Sequence, residues 1–310
     1  MTHERNGRGL STALGLLAIL LWSTTFAVSR SLAEEIGVLT AGAGMCLGGG
    51  VLGCLYIALV ERRAAAVFRL PRLYLLGCGS LLVTYMVCLF LAIGLAADRQ
   101  QTIEVSIINY LWPGLTLAFA VPILHTKVRR SFFAGLAMAA AGAALAPLRL
   151  GEYSAEALLE NLYGHPLPYG LALVGAVVWS LYSVLSRRWG AGAEGGAVPL
   201  FMLVSGAVLA ALSLAFPHPA AWTGRVFAEL AFMAVFTVMI AYTFWDRAMR
   251  RGNVTLLAAV SYLTPLLSTA LSVLYLRVEL GWNLWLACGL IVAGAAVAQV
   301  SVVKPPSPQV

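Results

Sequence analysis

The sequence predicts an all-α integral membrane protein, with ten transmembrane helices built as two inverted five-helix repeats and both termini cytoplasmic. Three observations carry that prediction. The 310 residues are 61% hydrophobic and 11% charged, with a mean hydropathy of +0.88, which leaves too little polar surface for a soluble domain. Uncharged runs of near-spanning length recur along the whole chain, where about 20 apolar residues cross a bilayer. The stretch WSTTFAVSR at 22–30 returns as WSLYSVLSR at 179–187, with Trp, Ser, Ser and Arg in the same places.

In chain order the predicted crossings are 11–29, 38–60, 73–97, 105–124, 132–148, 169–186, 197–216, 230–245, 254–276 and 282–303. The resulting organisation is a tail over 1–10, a first repeat over 11–150, a periplasmic connection over 151–168, a second repeat over 169–303 and a tail over 304–310. The first run has no convincing small-residue cleavage site after it and is read as a retained helix. Charge sets the orientation. With the N-terminus inside, the outer segments hold Arg30, Arg99, Arg149, Arg225 and Arg277, and the other 15 of the 20 basic residues lie inside, as the positive-inside rule requires. The net charge of +7 then reflects topology and contact with anionic lipid. No basic stripe interleaved with aromatics suggests a nucleic-acid partner.

Two further matches extend the repeat. NYLWPGLT at 109–116 parallels SYLTPLLS at 261–268, and GAAL at 142–145 parallels GAAV at 294–297. They fall in crossings four and five and again in nine and ten. Five is odd, so the second half enters the membrane inverted, the architecture of carriers whose substrate site lies at the midplane between repeats.

Pro113 and Pro265 sit near midspan in crossings four and nine. Proline supplies no N–H and displaces the carbonyl four residues earlier, here Asn109 and Ser261, so each is expected to kink its helix and gate access beside Tyr110 or Tyr262. On crossing six, Trp179, Tyr182, Ser183 and Ser186 share one face, and Trp22, Thr25, Phe26 and Ser29 share one face of crossing one. Hydroxyls mixed with rings suit lipid poorly, so these faces should point inward. Trp112 of the NYLWP run, with Tyr85, Met86 and Tyr242 from crossings three and eight, would complete the lining. Trp189, Trp222, Trp282 and Trp285 read as interfacial anchors.

The glycines of crossings two, five and ten permit close helix approach, so a monomer or weak homodimer is expected. Cys46, Cys54, Cys78, Cys88 and Cys288 show no metal or redox spacing, and no cofactor is implied.

These residues resemble the drug/metabolite transporter superfamily, and within it the EamA-type bacterial exporters. The likeness rests on the duplicated Trp-Ser, the Tyr-Leu-x-Pro of crossings four and nine, the glycine-rich crossings five and ten, and the Arg-bearing second loop. At finer grain, Trp179 and the NYLWP run resemble the pattern of aromatic amino acid exporters in that family. The resemblance implies a multi-pass protein of the bacterial inner membrane, working in export.

The charged residues can all be placed in loops or near membrane ends, with Glu104 and Asp246 deepest, so no buried intramembrane charge is expected. Carriers of nucleotide sugars would need Lys or Arg in the cavity, and proton-coupled carriers of lipophilic cations a midspan carboxylate. An enzyme would need a nucleophile, base or metal set at depth, and a channel a lined pore. A lipid or polyprenyl-phosphate translocator, or an exporter of other small metabolites or drugs, stays as the alternative. A zwitterionic amino acid with an aromatic or large apolar side chain fits best, held without fixed charge and with broad specificity.

Overall fold

In the computed structural model, residues 2–62, 67, 69–125, 127–145, 163–190, 196–252, 257, 261, 263–279 and 281–303 are described. They are helical almost throughout. The helices are α1 (Thr2–Trp22), α2 (Thr25–Ile36), α3 (Val38–Val60), α4 (Leu73–Gly94), α5 (Arg99–Asn109), α6 (Trp112–Ile123), α7 (Ser131–Leu145), α8 (Pro166–Trp189), α9 (Val198–Ala215), α10 (Gly224–Met249), α11 (Thr264–Leu276) and α12 (Trp282–Val300).

Seven helical spans are long and apolar enough to cross a membrane, with α5 and α6 counted as one, and the bent pair α1–α2 makes an eighth. Two shorter apolar helices, α7 and α11, overlap the segments expected as crossings five and nine. Of the predicted ninth crossing, residues 254–256, 258–260 and 262 lie outside the described residues, as do 253, 146–150 and 151–162.

The first expected crossing is not one straight helix. It breaks after Trp22 and resumes at Thr25, with a 40° bend. Ser23 donates to the Ile19 carbonyl at 3.0 Å and Thr24 to the Leu21 carbonyl at 2.7 Å. Consecutive hydroxyls that bond back onto the preceding turn compete with the helical ladder and bend it. The matching position in α8 keeps only Ser180 before Leu181, and α8 runs on unbroken from Pro166 to Trp189. Trp22 and Thr25 therefore do not share a regular helix face, although both still reach the same cavity.

The helices pair across the two halves of the chain: α1 with α10, α3 with α9, α4 with α8, and α7 with α12. The α7–α12 pair is glycine-mediated. A Cβ on Gly294 would meet the Ala139 nitrogen and the Gly135 carbonyl oxygen at 2.5 Å, and one on Gly135 would meet the Gly294 oxygen at the same distance. Gly135, Gly142 and Gly294 thus serve packing inside the chain, whereas a Cβ on Gly289 would meet nothing within 4 Å. Gly37, with φ +76°, makes the turn between α2 and α3, where a side chain would strike His218.

Buried carboxylates correct the expectation of a charge-free interior. Glu104, Asp246 and Glu229 are 0%, 5% and 8% exposed. Each is reached by tyrosine hydroxyls. Tyr169 donates to Glu104 at 2.5 Å, with Gln100 at 3.1 Å, Tyr74 donates to Asp246 at 3.3 Å, and Tyr275 donates to Glu229 at 2.6 Å. Donors supplied from distant helices offset desolvation of the carboxylate. Arg225 and Ser31 join Glu229 at 2.6 and 3.2 Å, and Arg225 also donates to Ser31 at 3.0 Å. This cluster ties α2 to α10 and α11.

Candidate functional site

Trp179, 3% exposed, stands at the middle of α8. Trp22 meets it edge-on at 5.5 Å, Tyr242 at 5.6 Å and Trp112 at 6.3 Å, while Tyr85 lies at 5.0 Å and Tyr182 stacks on it at 5.2 Å. These separations are those of favourable offset and edge-to-face ring pairs. Trp22 is fixed by its indole N–H, which donates to the Thr237 carbonyl at 3.2 Å. Thr237 lies in a π-helical stretch, Met233–Ile240, and such widened turns free a carbonyl from the regular ladder.

Beside Trp179 lies a cavity of about 30 Å³, lined by Trp22, Thr25, Phe26, Tyr85, Leu89, Asn109, Tyr110, Trp112, Trp179, Tyr242 and Thr264. No lining residue carries a formal charge.

The expected residues divide cleanly. Trp22, Tyr85, Asn109, Tyr110, Trp112, Trp179 and Tyr242 line the cavity. Tyr182 backs it through its stack on Trp179, and Met86 receives the Tyr242 hydroxyl at 4.0 Å behind the lining. Ser183 is buried with an unpaired hydroxyl outside the lining, and Ser261 is buried outside it as well. Tyr262 lies outside the described residues.

Pro113 and Pro265 are each the second residue of a helical segment, α6 or α11, and α5 and α6 still make one span, Arg99–Ile123, interrupted by turn residues ahead of Pro113. At that position the missing N–H is one the helix could not use. In crossing four, α5 ends at Asn109 and α6 starts at Trp112 after two turn residues.

Several contacts lock the broken segment in place. The Asn109 amide donates to the Ala172 carbonyl at 3.3 Å. The Trp112 carbonyl accepts from Ser180 at 2.9 Å and from Thr116 at 2.7 Å. Trp245 packs at 5.3 Å from Trp22 and 5.6 Å from Trp112, its indole N–H unpaired.

Thr25 and Phe26, expected on the inward face of crossing one, line the cavity, while Leu89 and Thr264 were not among the expected residues. Thr264 had a signal in the repeat, because SYLTP sets it at the position of Trp112 in NYLWP.

Together the helices and the uncharged cavity define a membrane-embedded transporter. The EamA-like transporter family matches the chain twice, over residues 10–147 and 167–299, and the chain belongs to that family. It is similar to the aromatic amino acid exporter YddG of Escherichia coli (strain K12), with 31% identity covering 93% of this chain and 96% of that protein. The YddG proteins of Salmonella typhimurium (strain 14028s) and Ancylobacter novellus are 32% and 33% identical and cover 92% and 94% of this chain. A crystal structure at 33% identity superposes with a TM-score of 0.70, covering 94% of this chain and 97% of that one.

Proposed function

We propose that this protein exports amino acids across the bacterial inner membrane, preferring aromatic and large apolar ones, by alternating access through the cavity beside Trp179. The observation that carries this reading is a buried lining of rings, hydroxyls and one amide, without a formal charge. A net-neutral zwitterion can enter such a site, whereas a nucleotide sugar would find no cation for its phosphates. The names of the YddG relatives support the aromatic preference and the outward direction. Specificity should be broad, because apolar pockets separate side chains by only about 1–3 kcal/mol per methylene.

The architecture proposed for this work is ten crossings in two inverted repeats, 11–150 and 169–303, with cytoplasmic tails over 1–10 and 304–310. The double family match supports it. So does the helix pairing: a two-fold that exchanges the repeats maps α3–α9 and α7–α12 onto themselves and exchanges α1–α10 with α4–α8. The unequal distribution of Lys and Arg supports cytoplasmic termini.

A cavity of about 30 Å³ is too small for phenylalanine, so the rings around Trp179 must separate as the halves rock. The breaks ahead of Pro113 and Pro265 are the proposed hinges. A groove of about 380 Å³ between α2, α10 and α11 also opens at the surface. Its carboxylate, Glu229, is paired with Arg225 at 2.6 Å.

The test is entry of radiolabelled phenylalanine into liposomes holding the purified protein. Saturable entry, competed by several apolar amino acids and not by nucleotide sugars or lipophilic cations, and lost in Trp179→Ala, supports the reading. Saturable phenylalanine entry that Trp179→Ala leaves unchanged moves the site elsewhere. No saturable entry by the unmodified protein rejects the amino acid reading.

A further inference from the structure

The cavity lies where helices begin and end. Thr25 is the first residue of α2, Trp112 of α6 and Thr264 of α11, and all three line it. None of these N-termini is capped by a side chain. Trp22, the last residue of α1, and Asn109, the last of α5, line it as well. Helix N-termini carry partial positive charge and C-termini partial negative charge, strongest within the end turn. One small space therefore receives dipole ends of both signs.

Two side chains point to what the positive ends hold. The Thr264 hydroxyl is unpaired although the residue is only 2% exposed, and the part-buried Thr25 hydroxyl is also unpaired. Buried polar groups are nearly always hydrogen-bonded, so each exception calls for a partner. Pro265 and Pro113 remove the amide donor from the second position of α11 and α6. At the start of α11 the Thr264 hydroxyl then adds a side-chain donor to the first-turn N–H groups that the proline leaves. No Lys or Arg lines the cavity, so an anionic group there must be met by hydroxyls and helix ends.

We infer that the substrate carboxylate seats between the Thr25 and Thr264 hydroxyls at the N-termini of α2, α6 and α11. Its ammonium turns toward the C-terminal ends at Trp22 and Asn109, over the aromatic faces. This rests on the amino acid reading and adds to it a polarity and two recognition residues. A broken helix that presents its positive end to a carboxylate solves the problem of holding charge without a counter-ion.

The test uses the full-length protein in liposomes and compares phenylalanine with phenethylamine, which has the ring and the ammonium but no carboxylate. Thr264→Val keeps shape and volume while deleting the donor, and Thr264→Ser restores it. The expected result is a rise of roughly tenfold or more in the KM for phenylalanine in Thr264→Val, the loss of one hydrogen bond to a charged group. Competition by phenethylamine stays at its unmodified strength, and Thr264→Ser returns the phenylalanine KM to within about threefold, an order-of-magnitude allowance for a retained hydroxyl.

Two results overturn the carboxylate site alone: an unchanged phenylalanine KM in Thr264→Val, or equal weakening of phenylalanine and phenethylamine. An unmodified protein without saturable phenylalanine entry overturns the amino acid reading itself, and the site with it.

Discussion

Replacing Ser31 by alanine should loosen one end of the carrier. Ser31 is 7% exposed and lies six residues beyond Thr25 on α2, so about 9 Å from the cavity at 1.5 Å per residue. Its hydroxyl donates to Glu229 at 3.2 Å and accepts from Arg225 at 3.0 Å. Both partners belong to α10, in the other half of the chain. Glu229 keeps Arg225 and Tyr275 after the change, so no carboxylate is stranded.

The bond to the buried carboxylate is worth about 1.5–3 kcal/mol, as for charged partners generally. The bond from Arg225 adds little, since that side chain is 64% exposed and screened. A total of about 2 kcal/mol converts to roughly a thirtyfold larger fraction open at this end, at 1.4 kcal/mol per decade. The assay is the rate at which a small water-soluble thiol reagent labels Leu89→Cys, a buried lining position, with and without Ser31→Ala. Faster labelling of comparable size is expected. An unchanged rate in well-folded protein would refute the idea that this cluster holds the halves together.

Three other outcomes follow from the packing and hydrogen bonds. Gly294→Val would force its Cβ to 2.5 Å from the Ala139 backbone, so a loss of about 1–3 kcal/mol or more is expected from overpacking; an unchanged melting temperature in detergent would contradict the α7–α12 contact. Tyr169→Phe removes a donor from Glu104, which is 0% exposed, and should cost about 1–3 kcal/mol, read as a lowered melting temperature beside a neutral surface control such as Leu214→Val. Pro113→Ala supplies an N–H within reach of the Asn109 carbonyl, letting α5 and α6 join, and is expected to slow transport while leaving folding intact; transport at the unmodified rate would remove the break as a hinge.

The apolar segments were legible because length and hydropathy are local properties, and 38–60 matches α3 residue for residue. The meeting of Trp22 with Trp179 was legible for another reason: the repeat sets two short motifs at equivalent places, and such places can converge on one axis. Thr264 was not assigned to the site, although the repeat sets it at the place of Trp112, because the residue there changes from a ring to a small hydroxyl.

The break at Ser23–Thr24 was not foreseen. Three successive hydroxyl residues differ from the unbroken Trp179–Ser180–Leu181 by side-chain bonds that hydropathy does not register. At Pro113 the sequence marks where a ladder bond is lost, but not that two turn residues, Tyr110 and Leu111, would separate α5 from α6 within the one span. Burial of Glu104, Asp246 and Glu229 depends on Tyr169, Tyr74 and Tyr275, donors 65, 172 and 46 positions away. No local pattern reports such a pairing.

The most direct test of the central claim is counterflow. Liposomes bearing the protein are loaded with unlabelled phenylalanine, diluted into a trace of labelled phenylalanine, and followed for transient accumulation of label. A site exposed alternately to each side predicts accelerated entry with an overshoot that vanishes in Trp179→Ala. Entry that is linear in concentration and indifferent to the internal load would contradict a carrier and point to an open path through the membrane.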